Sequence, residues 1–305
     1  MEIVQLVNVS KVINRTTLIK SLSLGIQEGE VFGLLGPNGA GKTTTIRMIV
    51  GLISITEGDI FILNKSVKTH YQEAMKNVGA IVENPEMYKF LSGYDNLIHY
   101  ARMMNGIKKE KISEIVELVG LTDRIHDKVK TYSLGMRQRL GLAQSLLHDP
   151  KVLILDEPTN GLDPAGIREI RDYLRKLAKE KNMAIIVSSH LLSEMEMMCD
   201  RFAIIQNGKL VDVQAVSELT MKSTTALYEF DVHEPLKGKN ILEESYPSIP
   251  VSIIHSTLQM TVEKEQVPEL IKLLVESEVK IYGVRVKEQS LEERFFEVLK
   301  EGENT

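Results

Sequence analysis

The spacing of apolar residues changes several times along the chain, and each change marks an element. Residues 5–9 alternate polar and apolar, and residues 18–26 set Leu22 and Leu24 on one face, so the first 32 residues read as short β segments. Gly29-Glu30 makes a turn, and Val31–Leu35 is an apolar run of strand length. A glycine-rich loop follows, then a helix over about 42–50, with Gly51 where a helix C-cap belongs. Residues 86–148 read as mostly helical, because Ile112, Ile115, Val116 and Val119 recur at helical spacing. Buried-strand patterns return at 151–155 and 184–187. Between them, the helix after Asp163-Pro164 carries Ile167, Ile170, Leu174 and Leu177 on one stripe. Strands alternating with helices indicate an α/β core with parallel pairing.

The composition shifts near residue 217, which divides the chain into expected domains at 1–217 and 218–305. The second reads as strand 226–232, helix 236–244, strands 251–255 and 258–263, helix 267–278, strand 280–286 and helix 290–300. Without its last helix, that order resembles a split β-α-β unit, a small α+β domain. No long-range repeat or low-complexity segment interrupts it.

Charge and cysteine usage narrow the class. Lys and Arg number 37 against 42 Asp and Glu, a net charge of -5, which argues against a nucleic-acid partner. Cys199 is the single cysteine, so no internal disulfide is expected and a reducing cytosol suits the chain. It ends the helical stretch 191–200 and reads as core, while Met195, Met197 and Met198 read as packing or a mobile contact surface. No run approaches the ~18 uncharged apolar residues of a membrane span. The first residues lack the basic start and apolar core of a signal peptide, so the chain is expected to stay inside and borrow any membrane it works at.

The glycine-rich loop carries the strongest chemistry. Gly36-Pro37-Asn38-Gly39-Ala40-Gly41-Lys42-Thr43, followed by Thr44, fits the phosphate-binding pattern G-x-x-x-x-G-K-[ST] between a strand and a helix. Backbone N–H groups and the helix N-terminus attract phosphate, Lys42 reaches the β- and γ-phosphates, and the Thr43 hydroxyl suits Mg²⁺. Residues 151–155 end in Asp156-Glu157. Two acids after a strand can cap a helix or face solvent. Beside a phosphate loop, they suit a metal ligand (Asp156) and an acceptor for the proton of an attacking water (Glu157). His190 follows the second buried strand, where it is either structural or a donor to the γ-phosphate. Ser133 opens a helix either as a plain N-cap or, with Gly135, as an anion site. Asp163 before Pro164 also suits an N-cap.

In this order the motifs resemble the ATP-binding subunits of ABC transporters over residues 1 to about 217. Residues 36–43 are similar to Walker A, 153–157 to Walker B with its catalytic glutamate, Asn160-Gly161-Leu162-Asp163 to the D-loop, His190 to the switch histidine, and 132–136 to the LSGGQ signature. Glu83-Asn84-Pro85, residues 91–97 and Ser290-Leu291-Glu292-Glu293-Arg294-Phe295-Phe296 resemble the bacitracin-export and lantibiotic-immunity branch. The resemblance implies a P-loop ATPase core with an antiparallel β subdomain and a helical subdomain at about 86–148. It implies ATP and Mg²⁺ as cofactors and a second copy of the chain closing head to tail, so that Ser133 and Gly135 touch the ATP held on the other copy's loop. It also implies a separate transmembrane permease that meets the segment 83–96, and export of an antibiotic, peptide or other amphipathic compound.

Some positions depart from the family. Glu83 stands for the Q-loop glutamine, as a carboxylate that could still ligate Mg²⁺. Ile13 stands for the aromatic that stacks on adenine, and Tyr132, Leu134 and Met136 replace signature residues. The competing reading is a soluble ABC-type ATPase acting on ribosomes or chromosomes. The chain lacks the tandem domains and sustained heptads of those forms. A nucleotide-binding scaffold without turnover is opposed by Glu157 and His190.

Overall fold

A computed structural model describes residues 1–104, 106–217, 225–254 and 256–287. The chain forms two compact units, Met1–Val216 and Ser217–Thr305.

The first unit contains two sheets. Strands β1 (Glu2–Ile13), β2 (Thr16–Gln27), β4 (Glu57–Ile62) and β5 (Lys65–Ser66) make an antiparallel sheet in the order β2-β1-β4-β5. β1 and β2 are longer than the sequence pattern suggests. They join through Asn14 and Arg15, both left-handed (φ 48 and 66), the conformation of a tight hairpin turn. The alternation expected over 5–9 breaks at Asn8, whose left-handed φ of 49 marks a register shift between Leu6 and Val9. The bulge turns Val7 outward while Leu6 and Val9 stay in the core.

The second sheet has the order β10-β9-β3-β8-β7-β6. Here β3 is Val31–Leu35, β6 Val78–Ile81, β7 Val152–Leu155, β8 Ala184–Ser189, β9 Arg201–Gln206 and β10 Lys209–Ala215. β3 and β6 to β9 pair in parallel, and β10 turns back antiparallel on β9. β3 and β8 are buried at every position, because both faces of the sheet are covered, and β8 is apolar up to Ser188 and Ser189 at its end. Ile3, Leu6, Phe32, Ile46, Ile154 and Ile186 belong to one core that the two sheets share. Each such side chain contributes on the order of 1.5–3 kcal/mol by leaving water.

Helix α1 (Lys42–Ile49) follows β3, and the short α2 (Tyr71–Met75) precedes β6. Between β6 and β7 lie α3 (Gly93–Met103), α4 (Lys109–Leu118) and α5 (Leu134–Leu146), separated by irregular chain and two 3₁₀ turns. α6 (Pro164–Lys181) starts at Asp163, whose carboxylate caps the Gly166 N–H at 2.8 Å. It buries Ile170, Leu174 and Leu177 as the stripe implies. α7 (Leu192–Met198) buries Met195 and Met198 and leaves Met197 exposed; Cys199 after it is in the core.

In the second unit, β11 (Thr225–Val232), α8 (Pro235–Ser245), β12 (Ser252–Ile254), β13 (Thr257–Glu263), α9 (Val267–Glu276) and β14 (Ile281–Lys287) follow one another. The sheet order is β12-β13-β11-β14, all antiparallel, which is the split β-α-β arrangement. Tyr228, Phe230, Leu258, Met260, Leu270 and Leu274 form its own core. The segment 290–296 and the expected helix 290–300 lie outside the described residues.

Candidate active site

The site lies at the C-terminal ends of β3, β7 and β8, where side chains leave a parallel sheet. The loop after β3 depends on glycine at two positions. A Cβ on Gly36 would stand 2.2 Å from the Ile205 carbonyl oxygen. Gly41, the N-cap of α1, has φ 113, which strains any other residue, and a Cβ there would meet Ile19 Cδ1 at 2.5 Å. Pro37, Asn38 and Gly39 form the exposed rim, Ala40 is buried, and the Ala40 N–H closes a turn on the Pro37 carbonyl at 3.1 Å. Thr44 is half-buried on α1.

Lys42 is 5% exposed, and its ammonium donates to the carbonyls of Gly36 (2.7 Å) and Pro37 (3.2 Å). Burial pulls its pKa below the usual lysine value, opposed by the negative charges of Glu157 and Asp156. Glu157 Oε1 lies 3.9 Å from Nζ on one side and 3.4 Å from His190 Nδ1 on the other. Glu157 itself sits at φ 45, a left-handed conformation that a non-glycine residue adopts at a cost on the order of 1–3 kcal/mol.

Asp156 is buried, and its Oδ1 accepts from Thr43 Oγ1 (3.3 Å) and Ser188 Oγ (2.6 Å). Ser188 Oγ also accepts the Glu157 N–H at 2.9 Å. One hydroxyl therefore positions both acids. The pairing of Leu155 with Val187 explains it, since it sets the next residues of β7 and β8, Asp156 and Ser188, side by side. Ser188 carries no signal in the sequence by itself; a hydroxyl at the end of one strand and an acid after its neighbour become a signal only once the strands are known to pair.

Thr43, Glu83, Asn84, Gln138, Asp156, Glu157 and Asn160 line a cavity of about 290 Å³ beside the loop. Glu83 is exposed at its edge, left-handed (φ 66), and ion-paired with Arg47 of α1. Ser133 and Gly135 are not among the lining residues. Ser133 caps α5 by accepting the Met136 N–H at 3.2 Å, and its side is exposed; Gly135 faces Leu162. Tyr132, in place of a signature leucine, is buried and donates its hydroxyl to the Arg124 carbonyl at 2.7 Å. Ile13 ends β1 with 42% of its surface exposed.

A family model described as "ABC transporter" matches residues 19–160, and one described as "AAA domain, putative AbiEii toxin, Type IV TA system" matches residues 127–196. The ABC transporter ATP-binding protein YhcH of Bacillus subtilis is 59% identical over 298 residues, covering 97% of this chain and 95% of its own. The bacitracin transport ATP-binding protein BcrA of Bacillus licheniformis is 38% identical over 299 residues, covering 97% of each. Among solved structures, cbiO1 from Clostridium perfringens, part of the ABC transporter complex cbiONQ, superposes with a TM-score of 0.66 at 25% identity, covering 72% of this chain and 91% of that one.

Proposed function

The chain belongs to the ATP-binding proteins of ABC transporters, and we propose that the cluster Lys42, Thr43, Asp156, Glu157 and His190 is its hydrolytic site, completed by a second copy of the chain. Members of this family are ATPases coupled to transport. The observation that carries the site assignment is the placement of Glu157 between Lys42 and His190, next to the Thr43–Asp156 pair.

The loop amides and Lys42 bind the phosphates of ATP. Mg²⁺ fits the site. Thr43 and Asp156 bring two hard oxygens together at 3.3 Å, and no cluster of three or more His, Cys, Asp or Glu able to hold a metal occurs among the described residues. Such a pair suits an ion that takes its remaining ligands from phosphate and water. When bound, it neutralises phosphate charge. Glu157 accepts the proton of a water whose oxygen attacks the γ-phosphorus, as the bond to the β,γ-bridging oxygen breaks and ADP leaves. His190 donates to the γ-phosphate. Ser133 and Gly135, outside the cavity of their own chain, close on the ATP of the second copy.

Residues 1–217 act as the ATP-binding domain and 218–305 as an accessory domain. None of the helices among the described residues is long and apolar enough to cross a membrane. The chain works in the cytoplasm on the inner face of the cell membrane, held there by a separate transmembrane permease that meets the segment 83–96, where Tyr88 and Phe90 are exposed at 43% and 69%. The likeness to a bacitracin transport protein supports export of an antibiotic, peptide or other amphipathic compound. The test is Glu157→Gln. We expect turnover to fall about 10²–10⁴-fold, the range for loss of a general base, with ATP affinity by calorimetry retained. Turnover equal to the parent would remove Glu157 from the role.

A further inference from the structure

We propose that Gln138 is a further site residue, whose amide donates a hydrogen bond to the terminal phosphate of ATP, or to the water attacking it, in the cavity of its own chain. The inference rests on the reading of that cavity as the terminal-phosphate site.

Of the side chains lining the cavity, Asp156 and Gln138 are the buried ones, each 6% exposed. Asp156 is held by Thr43 and Ser188. The Gln138 amide has no hydrogen-bond partner among the described residues. The amide is not among the fully buried polar atoms left without a partner, so it reaches the open cavity, where bound phosphate or water can pair with it.

Packing fixes where Gln138 points. Leu134, Gln138 and Gly141 lie four and three residues apart, on one stripe of α5. Leu134 abuts Gly161, because a Cβ there would stand 3.0 Å from Leu134 Cδ2. Gly141 abuts Pro85, whose Cβ would lie 2.5 Å from a Cβ on Gly141. That stripe therefore runs from the Asn160-Gly161 segment to the Glu83-Asn84-Pro85 segment, with Gln138 between them at the cavity both segments border.

The chemistry of the lining gives this amide its use. Glu83, Asp156 and Glu157 bring three carboxylates to the cavity, and a terminal phosphate adds more negative charge. Glu83 is paired with Arg47. Gln138 offers a neutral N–H donor from a helix packed against both bordering segments, which adds no repulsion. Ser133 begins the same helix, about 7.5 Å along the axis and roughly 140° around it from Gln138. One helix thereby meets its own chain's ATP through Gln138 and the second copy's ATP through its N-terminus.

The experiment uses the full chain and compares the parent with Gln138→Leu and Gln138→Glu. Steady-state hydrolysis gives kcat and KM; calorimetry gives separate affinities for Mg-ATP and Mg-ADP. We expect Gln138→Leu to lower kcat roughly a hundredfold, the scale of losing one transition-state donor, with KM within about threefold. Gln138→Glu keeps the shape and adds a charge facing the terminal phosphate, so it should weaken ATP roughly tenfold and leave ADP within about twofold. Equal shifts in ATP and ADP affinity, or kcat within about twofold of the parent in Gln138→Leu, would overturn the proposal. If Gln138→Leu fails to fold, the ATP-to-ADP ratio of Gln138→Glu decides alone. An active parent with inactive Glu157→Gln and unaffected Gln138 variants would sink this inference and leave the site reading intact.

Discussion

The phosphate loop and the start of α5 make opposite use of a helix N-terminus. At α1 the neighbourhood is closed: Lys42 and Asp156 are buried, and their polar atoms are matched by carbonyls and hydroxyls of the same chain. At α5, the Ser133 hydroxyl caps the Met136 N–H, the residue stays exposed, and Gly135 beside it has nothing nearer than Leu162 among the described residues. The first arrangement is complete within one chain and suits the phosphate site proposed there. The second leaves the Ser133 side exposed, with Leu162 the only neighbour that a Cβ on Gly135 would meet among the described residues. The difference is the ground for proposing a site in two parts, joined when two copies come together.

Substitutions at the two regions should therefore behave differently. The largest effect is expected from Gly135→Asp. Its carboxylate would face the phosphates held on another copy, and like charges brought together cost several kcal/mol, so turnover should fall more than a hundredfold. ATP binding to the single chain should be unchanged by calorimetry; lost binding would place Gly135 in its own chain's site and erase the contrast. Lys42→Ala should show the reverse pattern. It removes charge-assisted hydrogen bonds of about 1.5–3 kcal/mol, so ATP affinity should drop about ten- to a hundredfold before any association step is reached. Unchanged affinity would sink the Lys42 assignment.

Smaller effects sharpen the edges. Arg47→Ala frees the Glu83 carboxylate beside the cavity and should weaken ATP several-fold, while Glu83→Gln in the same background should restore it. The smallest concerns Glu30, just before the start of β3, at the opposite end of that strand from the loop. Burial raises its pKa above 4.5, opposed by the Gln27 N–H and Arg201. Between 4.5 and the raised value the folded chain holds more protons than the unfolded chain, so this group's contribution to stability falls as pH rises through that window. Denaturant titrations of Glu30→Gln against the parent should show that slope removed; parallel curves would refute it.

The same contrast explains what could be read from sequence. The phosphate-loop pattern is contiguous, with its glycines, Lys42 and Thr43 in one stretch between β3 and α1, so it is legible from the sequence alone. Asp156 and Glu157 were legible because a strand ends on them. Ser188 and Gln138 were not, because their meaning depends on the pairing of β7 with β8 and on the close approach of α5 to Pro85. The parallel pairing of the central sheet, though not its strand order, followed from alternating elements, whereas the long hairpin of β1 and β2 turns on Asn14-Arg15 without a glycine and breaks its alternation at Asn8, leaving a weak signal. In the second unit the element order was legible from period alone, since its core takes one side of a regular antiparallel sheet.

The most direct measurement is sedimentation of Glu157→Gln with and without Mg-ATP. Turnover is expected to be slow in that variant while both halves of the proposed site remain. The account predicts a single chain without nucleotide and a species of twice its mass with Mg-ATP, abolished by adding Gly135→Asp. A single chain at saturating Mg-ATP would contradict the claim that the outward-facing helix start of one copy completes the phosphate site of another.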